Sequence, residues 1–158
     1  MTVERNLEGL GGWLVLVGLG IIISPLRIIA QVSPFYWRIF SDGTWKVLTT
    51  PVTGAYNPLW APILYGEMLI NSALVLTWLF IAYLFFTKRK IFPRWYIGIL
   101  IFTLLFIAVD AMVIKSVLPN EPAFNPDTVK VFSQSLIGAL IWIPYMLISK
   151  RVKLTFVK

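Results

Sequence analysis

The chain has 158 residues, of which 58% are hydrophobic and only 13% are charged, and its net charge is +7. So few polar residues cannot cover the surface of a soluble globule, which predicts a membrane protein. Because the chain contains no cysteine and no histidine, the sequence excludes disulfides, thiolate chemistry and histidine-dependent catalysis or metal binding.

Four apolar stretches are each long enough to cross a hydrocarbon layer about 30 Å thick as a helix. They predict spans at about residues 11–30, 62–86, 95–117 and 128–148. The expected fold is therefore all-α: one four-helix membrane domain covering residues 1–158, which ends in a basic tail at 149–158.

The connection between the first two spans, about residues 31–61, is rich in aromatic residues. Rings with a polar edge favour the membrane interface, so we expect an aromatic-rich outer loop with a short interfacial helix at about 34–38. Two interpretations stay open for this loop, namely simple interfacial packing and a lid that binds a ligand or a partner.

Basic residues are distributed unequally between the two ends of the predicted bundle. Nine lie on the side that holds the connection between spans two and three and both termini, and five lie on the other side. The positive-inside rule then predicts that both termini are cytoplasmic. The same asymmetry accounts for much of the positive charge, so we expect contact with anionic lipid headgroups and no nucleic acid partner.

Several polar side chains fall at a similar depth near the outer ends of the spans. A charged side chain facing lipid is costly, so these groups are expected to face the bundle interior and to find partners there. Glu67 and Asn71 are four residues apart and share one helix face. We predict that Arg27 or Lys115 compensates the acidic groups. The candidate polar layer comprises Arg27, Glu67, Asn71, Asp110, Lys115 and Gln134.

Two interpretations of this polar layer remain open. It can be an interhelical clamp that fixes packing, or it can line an outward-facing cavity that binds a small polar ligand or relays protons through Glu67 or Asp110.

Both ends of the chain carry a further pattern. Gly11-Gly12-Trp13-Leu14, the stretch Ala55 to Trp60, Pro144-Tyr145 and the stretch Ser149 to Val157 together resemble the domain-of-unknown-function family 2569. The resemblance covers nearly the whole chain. It implies a small bacterial inner-membrane protein with about four spans, and it carries over no catalytic residue.

The terminal segment of that pattern alternates apolar and polar residues, which suits an extended or interfacial segment. Membrane anchoring and docking of a partner are both open for it. The candidate residues for contact with lipid or a partner are Lys150, Arg151, Lys153 and Phe156.

No phosphate-binding loop, metal-ligand cluster or catalytic triad is apparent, and no cofactor is expected. We therefore expect a non-catalytic accessory, sensory or protective subunit that acts through protein or lipid contacts, with a membrane-protein partner or a second copy of the chain. The alternative is a small transporter or ligand-binding membrane protein that uses a polar cavity around Glu67 and Asp110.

Overall fold

The computed structural model describes residues 9–158, and this part of the chain forms helices and turns without a β-strand. Arg5, one of the nine basic residues counted above, lies outside the described residues. The helices are α1 (Trp13–Ser41), α2 (Thr44–Thr49), α3 (Trp60–Phe86), α4 (Phe92–Lys115), α5 (Pro126–Ile148) and α6 (Lys150–Thr155).

Four of these helices, α1, α3, α4 and α5, are long and apolar enough to cross a membrane. They contain 29, 27, 24 and 23 residues, and at most 28% of the most apolar window of each is buried inside the protein. The remaining apolar surface requires an apolar solvent, as expected of helices surrounded by lipid. The predicted all-α four-helix membrane bundle is confirmed, and the chain is a multi-pass membrane protein.

Hydroxyl side chains within the spans are satisfied locally. Ser24, Thr77 and Thr103 each donate a hydrogen bond to the carbonyl four residues earlier, at 2.7 to 2.8 Å. Such bonds remove the cost of placing a free hydroxyl donor in hydrocarbon.

The first helix is longer than the sequence predicts. It continues beyond residue 30, through Pro34, to Ser41. The expected short helix at 34–38 is therefore part of the first long helix and not a separate element. Tyr36 and Ile39 are buried and pack with Leu64 of α3, so tertiary burial stabilises a helix that the local sequence alone would end.

The rest of the aromatic connection folds onto the end of α1 and α3. The Thr44 hydroxyl and backbone N–H hydrogen-bond to Asp42 at the start of α2, which lowers the pKa of that exposed carboxyl. The centroid of the Trp45 ring lies 5.2 Å from the ring centroids of both Phe40 and Tyr65. This end of the bundle thus has a small aromatic core of its own.

A larger core lies at the opposite end, where the connection between α3 and α4 meets the C-terminal tail. Leu14, Phe85, Phe92 and Phe156 are nearly or completely buried there. The Phe156 ring stacks on Phe92 with a centroid distance of 4.3 Å and an interplanar angle of 26°.

The prediction of an extended tail is wrong. The tail forms α6, whose first turn is capped by Ser149, and Val152, Thr155 and Phe156 turn toward the bundle. Their spacing of three and four residues places them on one helix face. Over so short a segment, the alternation of apolar and polar residues does not distinguish a strand from a helix. Phe156 is 4% exposed, so its contact is with the protein's own core and not with lipid or a partner.

Side-chain and backbone hydrogen bonds hold the tail to two other segments. Thr155 Oγ1 accepts from the Gly9 N–H at 3.1 Å and donates to the Gly9 carbonyl at 3.2 Å. The Lys158 carbonyl accepts from the Lys90 N–H at 2.6 Å, and the Lys158 N–H donates to the Lys88 carbonyl at 3.3 Å. The tail therefore joins the start of the chain to the connection between α3 and α4.

Removing the Phe156 ring is expected to destabilise the bundle. Truncation of a buried aromatic ring costs about 3–5 kcal/mol, because it removes apolar contacts and leaves a cavity. Unfolding of Phe156→Ala in detergent should show a loss of this order, whereas Val157→Ala, at an exposed neighbouring position, should change stability little. Equal effects of the two substitutions would contradict the docked tail.

Candidate functional site

Polar side chains from three of the spans meet near the end of the bundle that holds α2. The Glu67 side chain of α3 lies beside those of Asp110 in α4 and Tyr36 in α1. Tyr36 also lies beside the side chain of Asn71, and Asn71 Nδ2 donates to the Glu67 carbonyl at 2.9 Å. We call Tyr36, Glu67, Asn71 and Asp110 the carboxyl cluster.

Helix geometry explains how the carboxyl cluster assembles. Glu67 and Asn71 are one turn apart on the face of α3 that packs toward α1 and α4. Glu67 follows the start of α3 by seven residues and Asp110 precedes the end of α4 by five, so both lie about 8 to 10 Å inside their helix ends. The two acidic groups therefore face each other at one depth, as the sequence predicts.

The chemistry of two contacting carboxyl groups is restrictive. Two ionised carboxylates at close range repel each other, so a proton shared between them relieves the repulsion. Glu67 and Asp110 can therefore act together as a proton-sharing pair, with the Tyr36 hydroxyl beside them.

The predicted basic partners are not in the cluster. Arg27 Nη2 donates to Gln134 Oε1 at 3.0 Å, which joins α1 to α5. Arg27 and Tyr36 are nine residues apart, which on an ideal helix places them about 14 Å apart along α1 and on opposite faces. Lys115 is exposed near the end of α4. Neither cation is among the groups that interact with Glu67.

The prediction that Arg27 or Lys115 compensates the acidic groups is therefore wrong. The structure brings together Glu67, Asn71 and Asp110, and it forms a separate pair from Arg27 and Gln134. Lys115 is exposed and shares with Asp110 the wall of a cavity between α4 and α5.

Tyr36 is the member of the cluster that the sequence does not predict. Because Pro34 favours a helix end, the local sequence places Tyr36 in an outer loop with its ring at the interface. The sequence does hold one signal that the first helix continues to Tyr36. The spacing of Val32, Tyr36 and Ile39 fits one apolar helix face.

A cavity of about 680 Å³ lies on the other side of Asp110, between α4, α5 and the loop that joins them. Apolar side chains form much of its wall, and Asp110, Lys115, Glu121 and Asp127 contribute its charged groups. Asp110 is thus shared between the carboxyl cluster and a space large enough for a small ligand. Within residues 9–158, no group of three or more Asp or Glu side chains is arranged to hold a metal ion.

The comparison with protein families decides the classification. The family described as "Protein of unknown function (DUF2569)" matches residues 7–157. The chain belongs to this family. The resemblance seen in the sequence is thereby confirmed. No curated protein and no solved structure is detectably similar to the chain.

The segments that carry the family pattern at the two ends of the chain lie together in this family member. The Arg151 guanidinium lies against Gly11 and Gly12, and a Cβ atom added to Gly11 would lie 2.9 Å from Arg151 Nη1. Gly12 has a φ of +58°, which favours glycine. Leu14 and Val152 are both buried in the adjacent core. The pattern therefore describes a structural junction at the basic end of the bundle.

Of the other predicted contact residues at that end, Lys150 and Lys153 are exposed, and Arg151 is half-buried at the junction. The two lysines remain available for contact with headgroups or another protein.

We expect a double-mutant cycle to detect the contact between Glu67 and Asp110. Interhelical polar pairs in membranes contribute about 0.6 kcal/mol on average and up to about 1.7 kcal/mol, so unfolding of Glu67→Leu, Asp110→Leu and the double variant should give a coupling energy in this range.

The control cycle combines Glu67→Leu with Arg27→Leu, and it should be additive because Arg27 pairs with Gln134 elsewhere. Coupling of Glu67 to Arg27, with none to Asp110, would restore the prediction of a basic partner and contradict the structure.

Proposed function

We propose that this protein is a non-catalytic accessory or sensory subunit of the bacterial inner membrane that acts through contacts with protein or lipid. The observation that carries the proposal is that the polar groups within the spans bind one another: Tyr36, Glu67, Asn71 and Asp110 form one cluster, and Arg27 and Gln134 form one pair. These contacts serve helix packing, which leaves the two ends and the apolar outer face for interactions.

The residue inventory supports a non-catalytic role. The chain has neither a thiol nor an imidazole. The two carboxyl groups closest to a catalytic arrangement lie against each other, whereas an acid and a base acting on a substrate would each need to reach the substrate.

The charge distribution supports an orientation with both termini in the cytoplasm. The connection between α3 and α4 carries Lys88, Arg89 and Lys90, Arg94 follows in the first turn of α4, and the connection lies beside the C-terminal tail. Positive residues near short connections are retained on the cytoplasmic side. The location in a bacterial inner membrane is part of the proposal, and the family resemblance supports it.

A second candidate function is binding or transport of a small polar ligand, and the cavity beside Asp110 favours it. Stabilisation of the purified protein by a small ligand, or flux in proteoliposomes, that Asp110→Asn abolishes without loss of folding would favour this candidate over the contact role.

The orientation can be measured directly because the chain has no cysteine. Single-cysteine variants Thr53→Cys and Lys153→Cys place a thiol at opposite ends of the bundle. In spheroplasts, a membrane-impermeant maleimide should label Thr53→Cys, and it should label Lys153→Cys only after the membrane is permeabilised. The reverse pattern would contradict the proposed orientation.

Contact through the basic tail should depend on its exposed charges. Deleting the tail would also remove Phe156 from the core, so charge substitution is the sharper test. Crosslinking in native membranes should capture fewer partner molecules with Lys150→Gln/Lys153→Gln than with the unaltered chain, and Lys46→Gln/Lys130→Gln, on the opposite side, should serve as the control. Crosslinked partners that are unchanged in both double variants would contradict a contact role for the tail.

A further inference from the structure

A groove of about 520 Å³ runs along the lipid-facing boundary between α3 and α4. Its walls are almost entirely apolar and include Ala73 and Leu74 of α3 and Gly98 of α4, while Arg94 and Trp95 line the end nearest the connection between these helices. This groove is separate from both the carboxyl cluster and the cavity beside Asp110.

Small residues create the groove. Ala73 faces it from α3, and no atom outside the local backbone lies within 4 Å of the position that a Cβ atom on Gly98 would occupy. Along α4 the groove extends from Arg94 to Phe102, a rise of about 12 Å. One leaflet of the hydrocarbon layer is about 15 Å thick, so the groove matches the part of an acyl chain nearest its headgroup.

Aromatic packing fixes the wall beside Arg94. The Trp95 ring packs edge-on against Phe80, with a centroid distance of 5.1 Å and an interplanar angle of 80°. The Thr77 hydroxyl donates to the Ala73 carbonyl at 2.8 Å, so this side chain offers the groove no free donor. The polar recognition of a ligand therefore falls to Arg94.

Arg94 has the position and the free donors for a phosphate. Its side chain is exposed, and it forms no hydrogen bond or ion pair with any residue in the range 9–158. Arg94 lies in the first turn of α4, Lys88, Arg89 and Lys90 precede it in the connection, and no acidic residue lies between Lys88 and Arg94. A guanidinium binds a phosphate through paired N–H donors.

We propose that this groove binds one anionic phospholipid from the leaflet on the basic side, with an acyl chain between α3 and α4 and the phosphate on Arg94. The charge of the connection selects an anionic headgroup, and the groove between Ala73 and Gly98 holds the chain. This is a defined binding site, distinct from general attraction of the basic end to the membrane surface.

The test uses the purified full-length protein in detergent and native mass spectrometry with two added lipids, phosphatidylglycerol and phosphatidylcholine. The unaltered chain should retain one phosphatidylglycerol in preference to phosphatidylcholine. Arg94→Gln should weaken phosphatidylglycerol binding about fivefold, the factor expected for one juxtamembrane cation. Gly98→Leu should abolish retention of both lipids because its side chain occupies the groove.

Matched control variants distinguish binding in this groove from binding elsewhere on the protein. Gly138→Leu introduces the same side chain at a glycine of α5 that also has open space around it, and Lys158→Gln removes an exposed charge outside the groove on the same side of the bundle. Both should retain phosphatidylglycerol as the unaltered chain does. If Gly98→Leu does not fold, Ala73→Leu fills the groove from the opposite wall.

Three outcomes would overturn the proposal. Folded groove-filling variants that still retain phosphatidylglycerol would place the lipid elsewhere. Equal losses from Arg94→Gln and Lys158→Gln would indicate diffuse attraction to the basic end. Dimers of the unaltered chain that Gly98→Leu converts to monomers would show that a second copy occupies the groove.

Discussion

The absence of hydrogen-bonding partners in lipid is the constraint on which this structure depends. Polar side chains within the spans must find partners inside the protein: the hydroxyls bind carbonyls of their own helix, whereas the larger groups meet across helices. Tyr36, Glu67 and Asp110 connect α1, α3 and α4, while Arg27 and Gln134 connect α1 to α5. Two separate groups of polar contacts therefore link all four spans. Because the outer face of the bundle is apolar, these contacts also determine which face of each helix turns inward.

The two ends of the bundle are built differently. The end that holds α2 combines the carboxyl cluster with a small aromatic core, and a cavity with charged groups on its wall opens beside Asp110. The opposite end is closed by stacked aromatic rings and by a tail that hydrogen-bonds to Gly9, Lys88 and Lys90. The family pattern at the chain ends describes this second junction, so its Gly11-Gly12 and Arg151 elements have a structural explanation. The exposed basic residues and the groove beside Arg94 then give this end the features of a lipid-contacting surface.

The sequence predicts the parts of the fold that depend on length, apolar content and depth. Four spans follow from the long apolar stretches, and the meeting of Glu67, Asn71 and Asp110 follows from their shared depth and the cost of facing lipid. The sequence does not predict the contacts that depend on tertiary packing. Tyr36 enters the cluster only because packing against α3 stabilises α1 beyond Pro34, and Phe156 is buried only because α6 folds back onto Phe92. The partner of Arg27 likewise depends on how α1 and α5 are placed, which local patterns do not encode.

The most direct test of the account measures whether Glu67 and Asp110 lie next to each other in the native membrane. Since the chain has no cysteine, the double variant Glu67→Cys/Asp110→Cys can be treated with a short bifunctional thiol reagent and the intramolecular link identified by mass spectrometry. The account predicts efficient linkage of this pair and none for Arg27→Cys/Asp110→Cys. Linkage of the second pair with none in the first would contradict a bundle held together by the carboxyl cluster.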